Sequence, residues 1–177
     1  MRGKGISAKK ICVIGLLAAL ELALSRVERL IPLQLVVPLP GVKLGLANIV
    51  SMMALYFVGW REALAALLVR CVLGGIFGGN VTGFCMSLCG GVCAFFTMLA
   101  AKKSGLLSVY GVSILGAATH NTGQVLAASV LLRSPAVFSY LPFLLVTAVV
   151  TGTLTGAAAA AAFPSLRAAF SAQSGSP

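Results

Sequence analysis

Charged residues divide this chain into long apolar runs. None falls between 71 and 101, between 104 and 132, or between 134 and 166, and a helix needs about 20 largely apolar residues to cross a hydrocarbon core about 30 Å thick. Two shorter runs come first, 11–20 ahead of Glu21 and 44–60 between Lys43 and Arg61. Each can still span if its polar side chains face the protein interior. The stretch from Ala63 to Ala101 is too long for one crossing, and Gly78-Gly79-Asn80 is its natural breaker. The pattern therefore predicts six helices, over 9–30, 44–59, 62–78, 82–101, 108–132 and 141–163. Lys102-Lys103-Ser104-Gly105 closes the fourth, and Arg133-Ser134-Pro135 with Pro142 marks the loop before the sixth. The expectation is an all-α, polytopic membrane protein with one six-helix transmembrane domain, 1–163, and a short disordered cytoplasmic tail, 164–177.

Composition sharpens that picture. Of the 177 residues 59% are hydrophobic and 9% charged, whereas a soluble domain carries about a quarter charged residues. So few charges cannot cover a water-exposed surface. The acids are Glu21, Glu28 and Glu62 with no aspartate, so the net charge of +10 reflects missing acids more than crowded bases. The bases are scattered between apolar runs and form no dense face with interleaved aromatics, which excludes nucleic acid as a partner. Cytoplasmic loops are enriched in Lys and Arg. With the amino terminus inside, six crossings put Arg2, Lys4, Lys9, Lys10, Arg61, Lys102, Lys103 and Arg167 in the cytoplasm, against Arg26, Arg29, Lys43 and Arg133 outside. The predicted location is the cell membrane, with both termini cytoplasmic. Arg2, Lys4, Lys9 and Lys10 resemble the start of a signal peptide, but Glu21, Arg26, Glu28 and Arg29 stand where small residues should mark a cleavage site, so a retained first helix is expected.

Candidate chemistry lies in the few polar residues of the apolar runs, because such groups face a cavity or pair with one another. They are Glu21, Asn48, Arg70, Asn80, His120, Asn121 and Gln124. On a helix His120 and Gln124 share a face, with Asn121 beside them. That patch can contact a ligand or bond neighbouring helices, while Lys43 and Arg70 are available to neutralise an anionic group. Arg70 can instead simply pair with Glu21. Small residues recur at four-residue spacing, as at Ala19 and Ala23, Gly74 and Gly78, and Gly152 and Gly156. This spacing permits close helix contact in lipid, and at Ala19 and Ala23 an outward docking face for a partner helix is also credible. Cys85, Cys89 and Cys93 form one stripe, but no histidine shares that helix and no CxxC pair occurs, so packing explains them better than a metal. The loop from Pro32 to Lys43 cannot be regular helix, and its aliphatic residues suit an ordered cap over one membrane face.

Several activities lack their residues. There is no GxxxxGK[ST] phosphate loop for ATP hydrolysis, and without aspartate no acid-rich cluster could hold magnesium for diphosphate chemistry. Catalysis in its own right is not expected, and no cofactor is expected.

Two stretches, PLPGVKLGLANIVSMMALYFVGWREALAALLVR (Pro38–Arg70) and GVSILGAATHNTGQVLAASVLL (Gly111–Leu132), resemble the bacterial membrane family called heptaprenyl diphosphate synthase component I, also labelled the Gx transporter family. The likeness runs from about Ile11 to Gly156, and PGVKLGLAN with the HNxGQ pattern are its specific parts. That family is in turn similar to the substrate-binding S-components of energy-coupling factor (ECF) transporters. The resemblance implies a six-helix bundle whose first extracellular loop covers the substrate. It also implies a coupling subunit docked on an AxxxA motif, here Ala19 to Ala23, and separate ATPases. The expected function is thus a substrate-binding transporter subunit for a small, partly anionic and partly apolar molecule such as a vitamin, flavin or isoprenoid-related compound. Lys43, Asn48, Arg70, His120, Asn121 and Gln124 would contact it. The alternative, from the family's name, is a non-catalytic membrane subunit or scaffold of a heptaprenyl diphosphate synthase.

Overall fold

A computed structural model describes residues 8–28, 30, 43–78 and 81–174. Among them are six α-helices and no strand: α1 (Ala8–Glu28), α2 (Asn48–Phe57), α3 (Trp60–Gly78), α4 (Val81–Ser104), α5 (Val109–Leu131) and α6 (Leu141–Ser174), with a 3-10 turn over Pro135–Tyr140 ahead of α6. The expected loop from Pro32 lies outside the described residues except for Lys43, as do Asn80 and the first seven residues.

Successive helices run in opposite directions, and contacts at each end fix their order. Lys10 at the start of α1 pairs with Glu62 at the start of α3 at 2.8 Å. Lys102 near the end of α4 donates to the Leu55 carbonyl near the end of α2 at 2.6 Å. Phe163 of α6 packs on Tyr56 and Phe57 of α2 at ring distances of 5.1 and 4.9 Å. All of these lie at one end of the bundle. At the other end Asn121 of α5 reaches the Leu144 carbonyl of α6, and the segment before α2 meets the end of α1.

Helix α2 is the shortest α-helix and touches the five other α-helices. Its ten residues span about 15 Å at 1.5 Å per residue, shorter than the expected helix over 44–59. The reason is local. Gly45 adopts φ +83°, a left-handed conformation that interrupts a helix, and residues 46–47 form a turn. Beyond α2, Gly59 at φ +145° separates it from α3.

At the other extreme, α6 continues through Pro164 to Ser174, past the predicted boundary at 163 and into the stretch expected to be a disordered tail. Proline removes one backbone donor and normally breaks a helix. Here six alanines, Ala157 to Ala162, precede it with the highest helix propensity of any residue, and Phe163 is held by the two aromatic rings of α2.

The packed interior comprises a cluster around Met52, Leu55, Leu67, Phe95, Met98 and Val112, with a second around Met86, Val125, Val137 and Leu144. The outer faces are apolar as well: Ile76 is 68% exposed and Val146 67%, with Leu16, Phe77, Val130, Val150 and Leu154 similarly uncovered. The polar residues run the other way. Glu21, Glu28, Arg70, His120, Asn121 and Gln124 are all buried. Two stretches, Val81–Ser104 and Pro135–Ala168, are long and apolar enough to cross a membrane on length and composition.

Candidate functional site

The polar centre begins on α1. Ala18, Glu21, Ser25 and Glu28 recur at three- and four-residue steps, which places them on one helix face, and all four are buried. Ala19 and Ala23, off that seam, are exposed on the outside. The apolar and polar sides of α1 are thus inverted relative to a helix of a soluble protein.

Each buried acid meets donors. Ser51 of α2 donates its hydroxyl to Glu21 Oε1, and Arg70 Nε of α3 stands 3.3 Å from Glu21 Oε2. This ties three helices together at one buried ion pair. Glu28 Oε1 accepts the Gly45 N–H and, at 3.4 Å, the Leu46 N–H. Those donors lie just ahead of α2, where backbone N–H groups lack intrahelical acceptors. A carboxylate from another helix therefore serves the start of α2.

Lys43 enters this centre through both its backbone and its side chain. Its N–H donates to Gln124 Oε1 at 2.8 Å, and its carbonyl accepts from Gln124 Nε2 at 2.7 Å. One carboxamide thus reads an adjacent donor and acceptor on the same residue. The Lys43 ammonium donates to Ser87 Oγ of α4 at 2.8 Å and Ser25 Oγ of α1 at 3.2 Å. Gln124 also donates to Asn121 Oδ1 at 3.3 Å, and Asn121 Nδ2 donates to the Leu144 carbonyl at 2.6 Å.

Two side chains differ from these. His120 is 1% exposed and Asn48 6%, yet neither ring nitrogen of His120 and neither amide atom of Asn48 has a hydrogen-bond partner. They converge on one small volume. A Cβ added to Gly45 would lie 2.9 Å from both Asn48 Nδ2 and His120 Cδ2, and one added to Gly90 would lie 3.0 Å from His120 Nδ1. Glycines on both sides let backbone close directly over the imidazole. Leaving a buried polar group unpaired costs about 1–3 kcal/mol, and unlike Glu21 Oε2 and Arg70 Nε, which at least face each other, these two side chains have no charged partner either.

The six residues read from the sequence as ligand contacts lie at this centre but divide by role. Asn121 and Gln124 are committed to holding α6 and the Lys43 backbone, and Arg70 is committed to Glu21. Beside the Glu21 Oε2 and Arg70 Nε atoms, which face each other as an ion pair without a hydrogen bond, Asn48 and His120 are the described residues of the centre whose side-chain hydrogen-bonding atoms are all unused. Glu28, Ser25, Ser51 and Ser87 are not among the contacts expected from the sequence, and Glu21 is a candidate polar residue there with Arg70 as its possible partner but not an expected ligand contact. The signal that could have found the α1 members was the spacing of Glu21, Ser25 and Glu28 on one face. Among the described residues no group of three or more His, Cys, Asp or Glu side chains is placed to hold a metal. Cys85, Cys89 and Cys93 are free thiols along α4, with Cys89 and Cys93 exposed.

Fold and site together define an all-helical bundle with an apolar exterior and a desolvated polar centre at one end. Residues 17–162 match the family model described as heptaprenyl diphosphate synthase component I, and the chain belongs to that family. No curated protein and no solved structure matches it.

Proposed function

We propose that the chain is a multi-pass membrane protein that captures a small molecule as the S-component-like subunit of a bacterial transporter. The observation that carries this reading is the pair Asn48 and His120, buried and unpartnered where α2, α4 and α5 meet under the Lys43 segment. A binding site is expected to be largely apolar with a few convergent polar groups, and interhelical glue would show bonds that these two residues do not make.

The inverted distribution of polarity supports residence in a bilayer, where charged and amide side chains turn inward and apolar ones face acyl chains. Helices α1, α3 and α5 fall short of the strong apolar pattern of α4 and α6 because they carry those inward polar groups. Helix α2 is too short to cross alone. Its crossing would be completed by residues 43–47, and non-helical backbone is tolerated at membrane depth only when protein covers it; Leu44, Gly45 and Ala47 are buried. The whole chain then forms one transmembrane domain. Lys9, Lys10, Arg61, Lys102, Lys103 and Arg167 belong to the end opposite the polar centre, which favours that end as cytoplasmic and sets the site toward the outside. The exposed Ala19 and Ala23 leave α1 available to a coupling subunit, and energy would come from separate ATPases.

Binding to the purified full-length protein tests this reading. Candidate vitamins, flavins and isoprenoid phosphates would be titrated against wild type, His120→Ala and Asn48→Ala. His120→Ala empties part of the core and lowers stability, so thermal unfolding of each variant accompanies the titration, and both folded variants should lose affinity. Unchanged binding in both would reject the site.

A second reading follows from the family description: a non-catalytic membrane partner of a heptaprenyl diphosphate synthase. It would use the end carrying Arg61 and Lys103, since Lys102 is drawn inward to the Leu55 carbonyl and the Tyr56 ring. Stable co-purification with a soluble prenyl synthase, rather than with ATPases and a coupling subunit, would favour it.

A further inference from the structure

We infer that the ligand of this site is an uncharged molecule presenting an adjacent hydrogen-bond donor and acceptor, the edge of a lactam, imide or cyclic urea, and is not a phosphate or diphosphate. The inference rests on the binding reading above and narrows its ligand.

The cations of the centre are already engaged. Arg70 stands against Glu21, and the Lys43 ammonium bonds two serine hydroxyls. Two acids share the same region: Glu21 beside Ser51 and Arg70, and Glu28 beneath the Gly45 and Leu46 amides. A diphosphate would bring two or three negative charges into a buried region whose two cations already have partners, and burying unmatched charge costs far more than burying a neutral polar edge.

The unused groups have the opposite character. A carboxamide offers one donor side and one acceptor side, and a neutral imidazole offers one N–H and one lone pair. The Gly90 backbone lies against the imidazole, and the charged side chains nearest in effect are both cations, Arg70 and Lys43. Asn48 and His120 together therefore complement a molecule that itself donates and accepts side by side. Gln124 already makes this pairing with the N–H and C=O of Lys43 in the same centre. This departs from the partly anionic ligand suggested by the sequence, which treated Lys43 and Arg70 as free charges.

The test uses the full chain in detergent or nanodiscs and two probe sets: thymine, 2-pyridone and lumichrome as neutral donor–acceptor edges, and inorganic pyrophosphate and geranyl diphosphate as anions. Calorimetric titration should show binding of at least one neutral probe. Asn48→Asp, which replaces the donor side with a charged acceptor, should weaken that binding at least tenfold. Asn48→Ala keeps the test readable should the buried aspartate unfold the protein, and it should show the same loss. Neutral binding insensitive to both substitutions overturns the inference. Binding of the diphosphates alone, weakened by His120→Ala or Asn48→Ala, also overturns it but leaves the capture function standing. Failure of both sets overturns both.

Discussion

The closeness of α5 and α6 can be measured by adding a single methyl group at Gly152. An ideal Cβ there would lie 2.6 Å from Ile114 Cα and 3.0 Å from Ile114 N. Ordinary carbon contacts settle near 3.5–4.0 Å, so the helices must separate by about 1 Å, and the obstacle is backbone that no rotamer change can move. Overpacking of this kind costs about 1–3 kcal/mol. Alanine recovers up to about 1 kcal/mol over glycine through helix propensity, leaving a net loss of up to about 2 kcal/mol for Gly152→Ala, since the obstacle is backbone. Gly15→Ala is the matched control, since a Cβ at Gly15 meets nothing within 4 Å; it should gain up to about 1 kcal/mol. The same chemical change therefore has opposite signs at two helical glycines. For a chain of this size 1 kcal/mol corresponds to about 2–4 °C in Tm, so thermal unfolding of the purified protein should separate the variants by several degrees. Equal melting temperatures would refute the close α5–α6 packing.

Arg70→Met leaves Glu21 as an uncompensated buried charge and should cost about 3–5 kcal/mol, whereas Arg70→Met combined with Glu21→Gln should recover much of it; a denaturant or thermal double-mutant cycle measures the coupling. Lys102→Met loses the bond to the Leu55 carbonyl and the contact 4.8 Å from the Tyr56 ring centre, at about 1–2 kcal/mol, while Lys103→Met at an exposed position should leave Tm unchanged. The Lys10–Glu62 pair, with the Lys10 side chain 60% exposed, should contribute below about 1 kcal/mol; Lys10→Ala should shift Tm little, and 1 M salt should remove what difference there is. Gly45→Ala should weaken ligand binding at least as much as it lowers stability, because φ +83° strains any L side chain and the added methyl presses on Asn48 and His120; comparing Kd and Tm for this variant checks that order.

The helical runs themselves needed no tertiary information. Charge-free stretches, the breaker near Gly78 and the bases at 102–103 locate five of the six helices to within a few residues, because a local shortage of polar groups and a local turn former act over neighbouring residues only. The two boundaries that departed from the pattern are those set at a distance. Gly45 bends where Glu28 and Gln124 hold the chain on either side of it, and α6 passes Pro164 where aromatic rings from α2 anchor Phe163. Neither partner is near in sequence.

The same division runs through the site. Sequence alone determined which residues are polar in an apolar chain, and hence that Asn48, Arg70, His120, Asn121 and Gln124 must turn inward, because the cost of exposing or orphaning such groups depends on residue type and surroundings. Only the tertiary structure decided which of them are spent and which are free. Gln124 and Lys43 are 81 residues apart, and Arg70 and Glu21 lie on different helices, so their pairing is fixed by how helices pack. Asn48 and His120 retain their unused bonds for the same reason: the packing that brings them together supplies no protein partner for either.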